Sequence, residues 1–131
     1  MLRTEPLTLA IVDDDEDVRT ALSRLLRTMG HDVRAFASAE AFEAETLAVD
    51  CVIADVRLPG LSGLELRERL IGRSAPAPVV LVTGDVDVLA RENGRLFEIP
   101  LVTKPFDADA LTAAIADAIA TAPPRRAPHV P

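Results

Sequence analysis

Five polar side chains stand directly beyond short apolar runs. Asp13 and Asp14 follow Leu7-Thr8-Leu9-Ala10-Ile11-Val12, Asp55 follows Cys51-Val52-Ile53-Ala54, Thr83 follows Val79-Val80-Leu81-Val82, and Lys104 follows Leu101-Val102-Thr103. Each run has strand composition, so each polar group sits at a strand tip. In an open parallel α/β sheet, ligand sites form outside the carboxyl ends of the strands at the topological switch point, where such groups converge. Two or three carboxylates, a hydroxyl and an ammonium gathered there describe metal-assisted phosphoryl chemistry.

Carboxylates held ~4 Å apart repel by roughly 4 kcal/mol per pair at an effective dielectric near 20, and a divalent cation removes the conflict. No His or Cys stands at ligand spacing, so the donors are oxygens and Mg²⁺ is the expected ion. Asp13, Asp14 and Asp55 are its expected carboxylates. Asp55, beside the cation, is the expected nucleophile toward a phosphoryl group, giving an aspartyl phosphate. Lys104 and Thr83 are the expected clamps, an ammonium on one phosphoryl oxygen and a hydroxyl on another. Asp15 is read as a helix cap and left out of the metal set.

The elements that must place these groups follow from periodicity. Val18, Ala21, Leu22, Leu25, Leu26 and Met29 recur at helical spacing with Arg19, Ser23, Arg24 and Arg27 opposite, and Gly30 stops the pattern. Asp32 to Phe36 alternates as a short strand, and Ser38 caps a helix running to about Thr46. Ser62 with Glu65 forms a capping-box pattern that opens a helix ending at Gly72. Pro78 to Val82 reads as a central strand covered on both faces. A helix between Asp87 and Ile99 is interrupted by Asn93-Gly94. From Asp107, Leu111, Ala114, Ile115, Ala118 and Ile119 mark a last helix that ends near Thr121. Five β-α units in alternation predict a doubly wound α/β fold: a five-stranded parallel sheet of order 2-1-3-4-5, flavodoxin-like, in a three-layer sandwich. That order makes the first and third strands neighbours and brings Asp13, Asp14 and Asp55 side by side.

Bulk properties bound the function. The chain has 131 residues, 49% hydrophobic and 27% charged, the balance of about one globular domain. No apolar stretch approaches the ~20 residues that cross a bilayer, the first residues lack a secretory apolar core, and the lone Cys51 can form no internal disulfide. A cytoplasmic protein without membrane contact is expected, with Cys51 a small buried hydrophobe and His31 and His129 on the surface. A formal charge of −7 argues against direct nucleic-acid binding. Residues 1–121 are expected to form the domain and the Pro-rich 122–131 a tail or linker stub.

Ile11-Val12-Asp13-Asp14-Asp15, Val52-Ile53-Ala54-Asp55-Val56-Arg57-Leu58-Pro59-Gly60-Leu61-Ser62-Gly63, Val82-Thr83-Gly84 and Val102-Thr103-Lys104-Pro105-Phe106 together resemble the receiver domain of two-component response regulators. The resemblance runs from about Leu7 to Thr121. It implies that Asp13 and Asp14 hold Mg²⁺, that Asp55 accepts phosphate from a histidine kinase or phosphotransfer protein, and that Thr83 and Lys104 are switch and clamp. It also implies a metal contact from the Arg57 backbone carbonyl and a cis bond between Lys104 and Pro105. Such a protein acts on a downstream protein target as a monomer or weak homodimer. It is a phosphoacceptor that assists its own phosphorylation and slow dephosphorylation, and not an enzyme.

The chain departs from many receivers at Leu101, where an aromatic residue is usual, and Glu98-Ile99-Pro100-Leu101 resembles receivers attached to hybrid sensor kinases. Arg57 and Asp85 are expected to border the attacking water and set the phosphate lifetime. Two other functions fit the same residues. One is a metal-dependent phosphohydrolase with an aspartyl-phosphate intermediate, as in the haloacid dehalogenase family, although Arg57 stands where that family places a second acid. The other is a receiver-like adaptor that binds a partner without being phosphorylated.

Overall fold

The computed structural model describes residues 6–45, 47–72, 77–84, 101–104 and 107–121. The strands β1 (Thr8–Val12), β2 (Asp32–Phe36), β3 (Cys51–Asp55), β4 (Val79–Thr83) and β5 (Leu101–Thr103) form one sheet, and the helices are α1 (Glu16–Thr28), α2 (Ala39–Glu45), α3 (Gly63–Ile71) and α4 (Ala108–Thr121). All strand pairs are parallel and the order is β2-β1-β3-β4-β5. The predicted doubly wound sheet is therefore the observed one.

Alternate residues of the strands face opposite layers. Leu9, Ile11, Ile53 and Val80 meet Leu22 and Leu26 of α1 and Leu111 and Ile115 of α4 on one side. Ala10, Val52, Ala54 and Leu81 meet Phe42 of α2 and Leu66 and Leu70 of α3 on the other. Both faces of β1, β3 and β4 are thus covered, which explains runs that are apolar without alternation. With its apolar residues spent on both layers, the sheet leaves only its strand ends for polar chemistry.

The helix starts follow local chemistry. Asp15 caps α1, its carboxylate accepting from the Asp17 and Val18 N–H groups, and the Ser62–Glu65 capping box at α3 is fully formed. Ser38 Oγ accepts from the Ala41 N–H at 3.0 Å, and Asp107 Oδ1 from the Asp109 N–H at 2.9 Å.

Three expectations are corrected. On α1, Ser23 is buried and Ala21 exposed, because the face that docks on the sheet is centred on Leu22 and Leu26. Ile119 of α4 is exposed, one position past the Leu111–Ile115–Ala118 stripe that does the packing. His31 is buried at 8% exposure, not on the surface. Its Nδ1 accepts the Leu7 N–H at 3.1 Å, and its backbone N–H donates to Leu26 O. The ring nitrogen and the backbone N–H of His31 thus join the start of β1 to the end of α1, and a buried polar group with such partners is stable where it lies. Cys51 is buried as expected, and burial pushes its thiol up to about 12. The interrupted helix of 87–99, Asp85, the Lys104–Pro105 bond, the side chain of Leu101, His129 and the 122–131 tail lie outside the described residues.

Candidate functional site

Parallel register puts the strand tips in one row. Val12 pairs with Ala54, Asp55 with Val82, and Thr83 with Thr103, so the residues ending β1, β3, β4 and β5 lie at the same sheet edge. Asp13, Asp14 and Asp55 each offer a carboxylate oxygen, and these oxygens lie within 4.8 Å of one another. Lys104, at the end of β5, places Nζ 2.9 Å from Asp55 Oδ2 and 3.3 Å from Asp13 Oδ2. The ammonium therefore bridges the first and third strands.

Backbone donors hold the remaining oxygens. The Arg57 N–H donates to Asp55 Oδ1 at 2.9 Å, and the Asp15 N–H to Asp13 Oδ1 at 2.9 Å. Asp55 is thus oriented from both sides, by the loop after its own strand and by Lys104. Thr83 is 2% exposed at the end of β4, and its carbonyl accepts the Lys104 N–H at 2.9 Å. Arg57 is exposed two residues beyond Asp55. Asp14 is exposed, the one carboxylate of the three that faces solvent freely.

The charges are mutually perturbed. Burial raises the Asp13 pKa most, the Asp15 N–H pulls it back, Asp55 raises it again and Lys104 lowers it, and burial prevails, so it stands above the ordinary value. Burial pulls the Lys104 pKa down, but the hydrogen bond and charge of Asp55, with Asp13, outweigh it and leave the ammonium above its usual range. Three carboxylates at −1 each and one ammonium at +1 leave a formal −2. One divalent cation balances that sum, and an all-oxygen donor set suits a hard ion.

Of the residues singled out in the sequence, Asp13, Asp14 and Asp55 cluster at this edge with Lys104 on Asp55 and Asp13, Thr83 and Arg57 follow on the neighbouring strand end and loop, and Asp85 lies outside the described residues. Two supports were not foreseen. Arg19 donates from a guanidinium nitrogen to the Asp13 carbonyl at 2.8 Å, tying α1 to the acidic loop. Gly63 opens α3 directly against the backbone of Asp55: a Cβ there would penetrate the Asp55 carbonyl oxygen and stand 2.9 Å from its carbon. In the sequence Gly63 reads only as a turn residue, and nothing local distinguishes its packing role.

The chain matches the family model of the response regulator receiver domain over residues 9–116. It is 41% identical over 117 residues to the transcriptional regulatory protein FixJ of Bradyrhizobium diazoefficiens, covering 87% of this chain and 57% of that protein. It is 38% identical over 119 residues to the response regulator protein TmoT of Ectopseudomonas mendocina, covering 88% of this chain and 54% of that one. The crystal structure of full-length FixJ from B. japonicum superposes with a TM-score of 0.76 at 40% identity, over 92% of this chain and 61% of that chain. The chain spans about half the length of the curated relatives it matches.

Proposed function

The chain belongs to the response regulator receiver domains of two-component phosphorelay signalling, and from that membership we propose that Asp55 is its phosphoacceptor, supplied by a histidine kinase or phosphotransfer protein. The observation that carries the reading is the single ammonium of Lys104 held between Asp55 and Asp13 within the acidic group. Asp55 is buried, oriented at both oxygens and next to a counter-charge, which suits an in-line attack on phosphorus.

The donor set fits Mg²⁺ in number, hardness and charge, with Asp13, Asp14, Asp55 and the Arg57 carbonyl as the groups that would hold it. When bound, the ion neutralises the carboxylates and the incoming phosphoryl oxygens. In the transfer, an Asp55 oxygen bonds to phosphorus as the bond from phosphorus to the donor imidazole nitrogen breaks and its electron pair leaves with the imidazole. Lys104 then exchanges a carboxylate oxygen for a phosphoryl oxygen, and the Thr83 hydroxyl donates to another. Lys104 already contacts Asp55, and Thr83 follows Val82, the residue paired with Asp55 on the adjacent strand.

Receiver domains are generally signalling proteins and not enzymes, and this chain is proposed to act by assisting its own phosphorylation and hydrolysis. The phosphohydrolase reading is not favoured, since Arg57 replaces the second acid and the family model covers the domain. The relatives named above are transcriptional and response regulators, so the likeness of residues 98–101 to hybrid-kinase receivers finds no support among them. The name of FixJ ties that relative to transcription, at well beyond the length of the match. For residues 1–121 themselves we propose output through protein contacts, as a monomer or weak homodimer, with 122–131 as tail or linker. Among the described residues no helix is long and apolar enough to cross a membrane, and a cytoplasmic location is part of the proposal.

The test is incubation with Mg²⁺ and acetyl phosphate followed by intact mass, repeated with Asp55→Asn. One added phosphoryl group on wild type alone supports the reading. Rapid multiple turnover of phosphate esters favours the hydrolase, and no adduct with any donor favours the adaptor.

A further inference from the structure

The loop from Val56 to Ser62 both follows the acceptor and orients it, because the Arg57 N–H is one of the two groups holding the Asp55 carboxylate. Its near end is fixed by that bond and by buried Val56 and Leu58. Its far end is met by a side chain from a different helix of the same layer, α2. Glu40, in the first turn of α2, accepts the Leu61 N–H on Oε2 at 3.0 Å across 21 residues of sequence. Gly60 is shaped for this contact: its φ of +75 suits glycine, and a Cβ there would stand 2.8 Å from the same Glu40 oxygen. The Leu61 N–H and Glu40's own N–H hold the carboxyl below its ordinary range, with a smaller pull from Arg69. Arg69 of α3 forks onto Glu43 of α2, with Nε on one carboxylate oxygen and a terminal nitrogen on the other, both at 3.0 Å, so helix and loop are anchored to α2 together.

We propose that Glu40 is a positioning residue for phosphoryl acceptance: its carboxylate pins the far end of the acceptor loop, so that the Arg57 N–H stays on Asp55. The inference rests on Asp55 being the phosphoacceptor. Glu40 touches neither the donor nor the reacting atoms. Its effect is to narrow the range of loop conformations, which sets how often Asp55 presents a free oxygen in line.

The experiment compares Glu40→Ala, Glu40→Asp and Glu40→Gln in the whole chain, reading amide hydrogen exchange at Arg57 by NMR, phosphorylation rate with acetyl phosphate and Mg²⁺, and thermal melting by circular dichroism. Glu40→Asp keeps the negative charge at the start of α2 but loses the reach to Leu61, whereas Glu40→Gln keeps an oxygen that can accept the bond. For Ala and Asp, exchange at Arg57 is expected to accelerate about three- to tenfold, the scale of losing about one exposed charge-assisted hydrogen bond, with phosphorylation slowed by a similar factor. Gln is expected to recover most of both. Melting should move little in all three. Unchanged exchange at Arg57 in Glu40→Ala, or an Asp variant that behaves as wild type, overturns the clamp. Wild type that gains no phosphoryl group overturns the acceptor reading instead, and the exchange result still decides whether Glu40 holds the loop.

Discussion

Replacing Lys104 with Met should have effects of opposite sign on metal affinity and on phosphorylation. At an effective dielectric near 20, the contacts of 2.9 Å and 3.3 Å to Asp55 and Asp13 correspond to about 6 and about 5 kcal/mol of gross attraction. Carboxylate oxygens up to 4.8 Å apart repel by about 3.5 kcal/mol or more per pair on the same scale. Solvation returns much of this, since the Lys104 side chain is 24% exposed. Breaking a buried pair from one side costs about 3–5 kcal/mol, so about 2–3 kcal/mol is expected here without Mg²⁺. The variant loses an ammonium that occupies two of the carboxylate oxygens a cation needs. Mg²⁺ should therefore bind about tenfold tighter, and saturating Mg²⁺ should return about 1.4 kcal/mol of the lost stability. Acetyl phosphate labelling should nevertheless fall sharply, since no ammonium receives the phosphoryl oxygen. The chain has no Trp or Tyr, so urea melts followed by far-UV circular dichroism measure stability, and calorimetric titration measures Mg²⁺. Weaker Mg²⁺ binding in the variant, or unchanged stability without the ion, would refute the electrostatic account of the site.

Gly63→Ala should destabilise by about 2–3 kcal/mol and slow labelling of Asp55, because the methyl group must push α3 or the Asp55 backbone aside. Urea midpoints with an unchanged slope test this, and a variant as stable as wild type rejects the close packing. Lys104 is the only lysine of the chain, so a ¹³Cε signal reports its titration without overlap. Because its folded pKa is raised, its contribution to stability is complete below the unfolded value of 10.5 and is lost as pH climbs through the folded value. Asp55→Asn, which removes the largest of the raising groups, should bring that midpoint down, and a midpoint that does not move contradicts the pairing. His31→Ala should cost about 1–3 kcal/mol by leaving the Leu7 N–H without its acceptor. A thermal melt that matches wild type would show that water takes over the bond.

The strands were readable because an apolar run that ends in Asp, Thr or Lys is a local pattern, and so were the caps at Asp15, Ser38, Ser62 and Asp107, whose partners lie within three residues. Alternating β and α units then left few topologies, and the order 2-1-3-4-5 followed. His31 was misplaced because the donor that satisfies it is 24 residues away, and Ser23 and Ile119 because the docking face of a helix is chosen by the sheet beneath it.

Residue types and short-range spacing were thus enough to name the carboxylates, the hydroxyl and the ammonium and to place them at one edge. Packing alone settled how they meet. Lys104 reaches Asp55 across 49 residues, Glu40 reaches the loop from the neighbouring helix α2, and Gly63 is needed only because α3 closes onto Asp55. Hydrogen bonds along a helix or cap join neighbours and leave a periodic trace in the chain, whereas contacts between strand ends and layers depend on how two apolar faces close over one sheet, which no local pattern records.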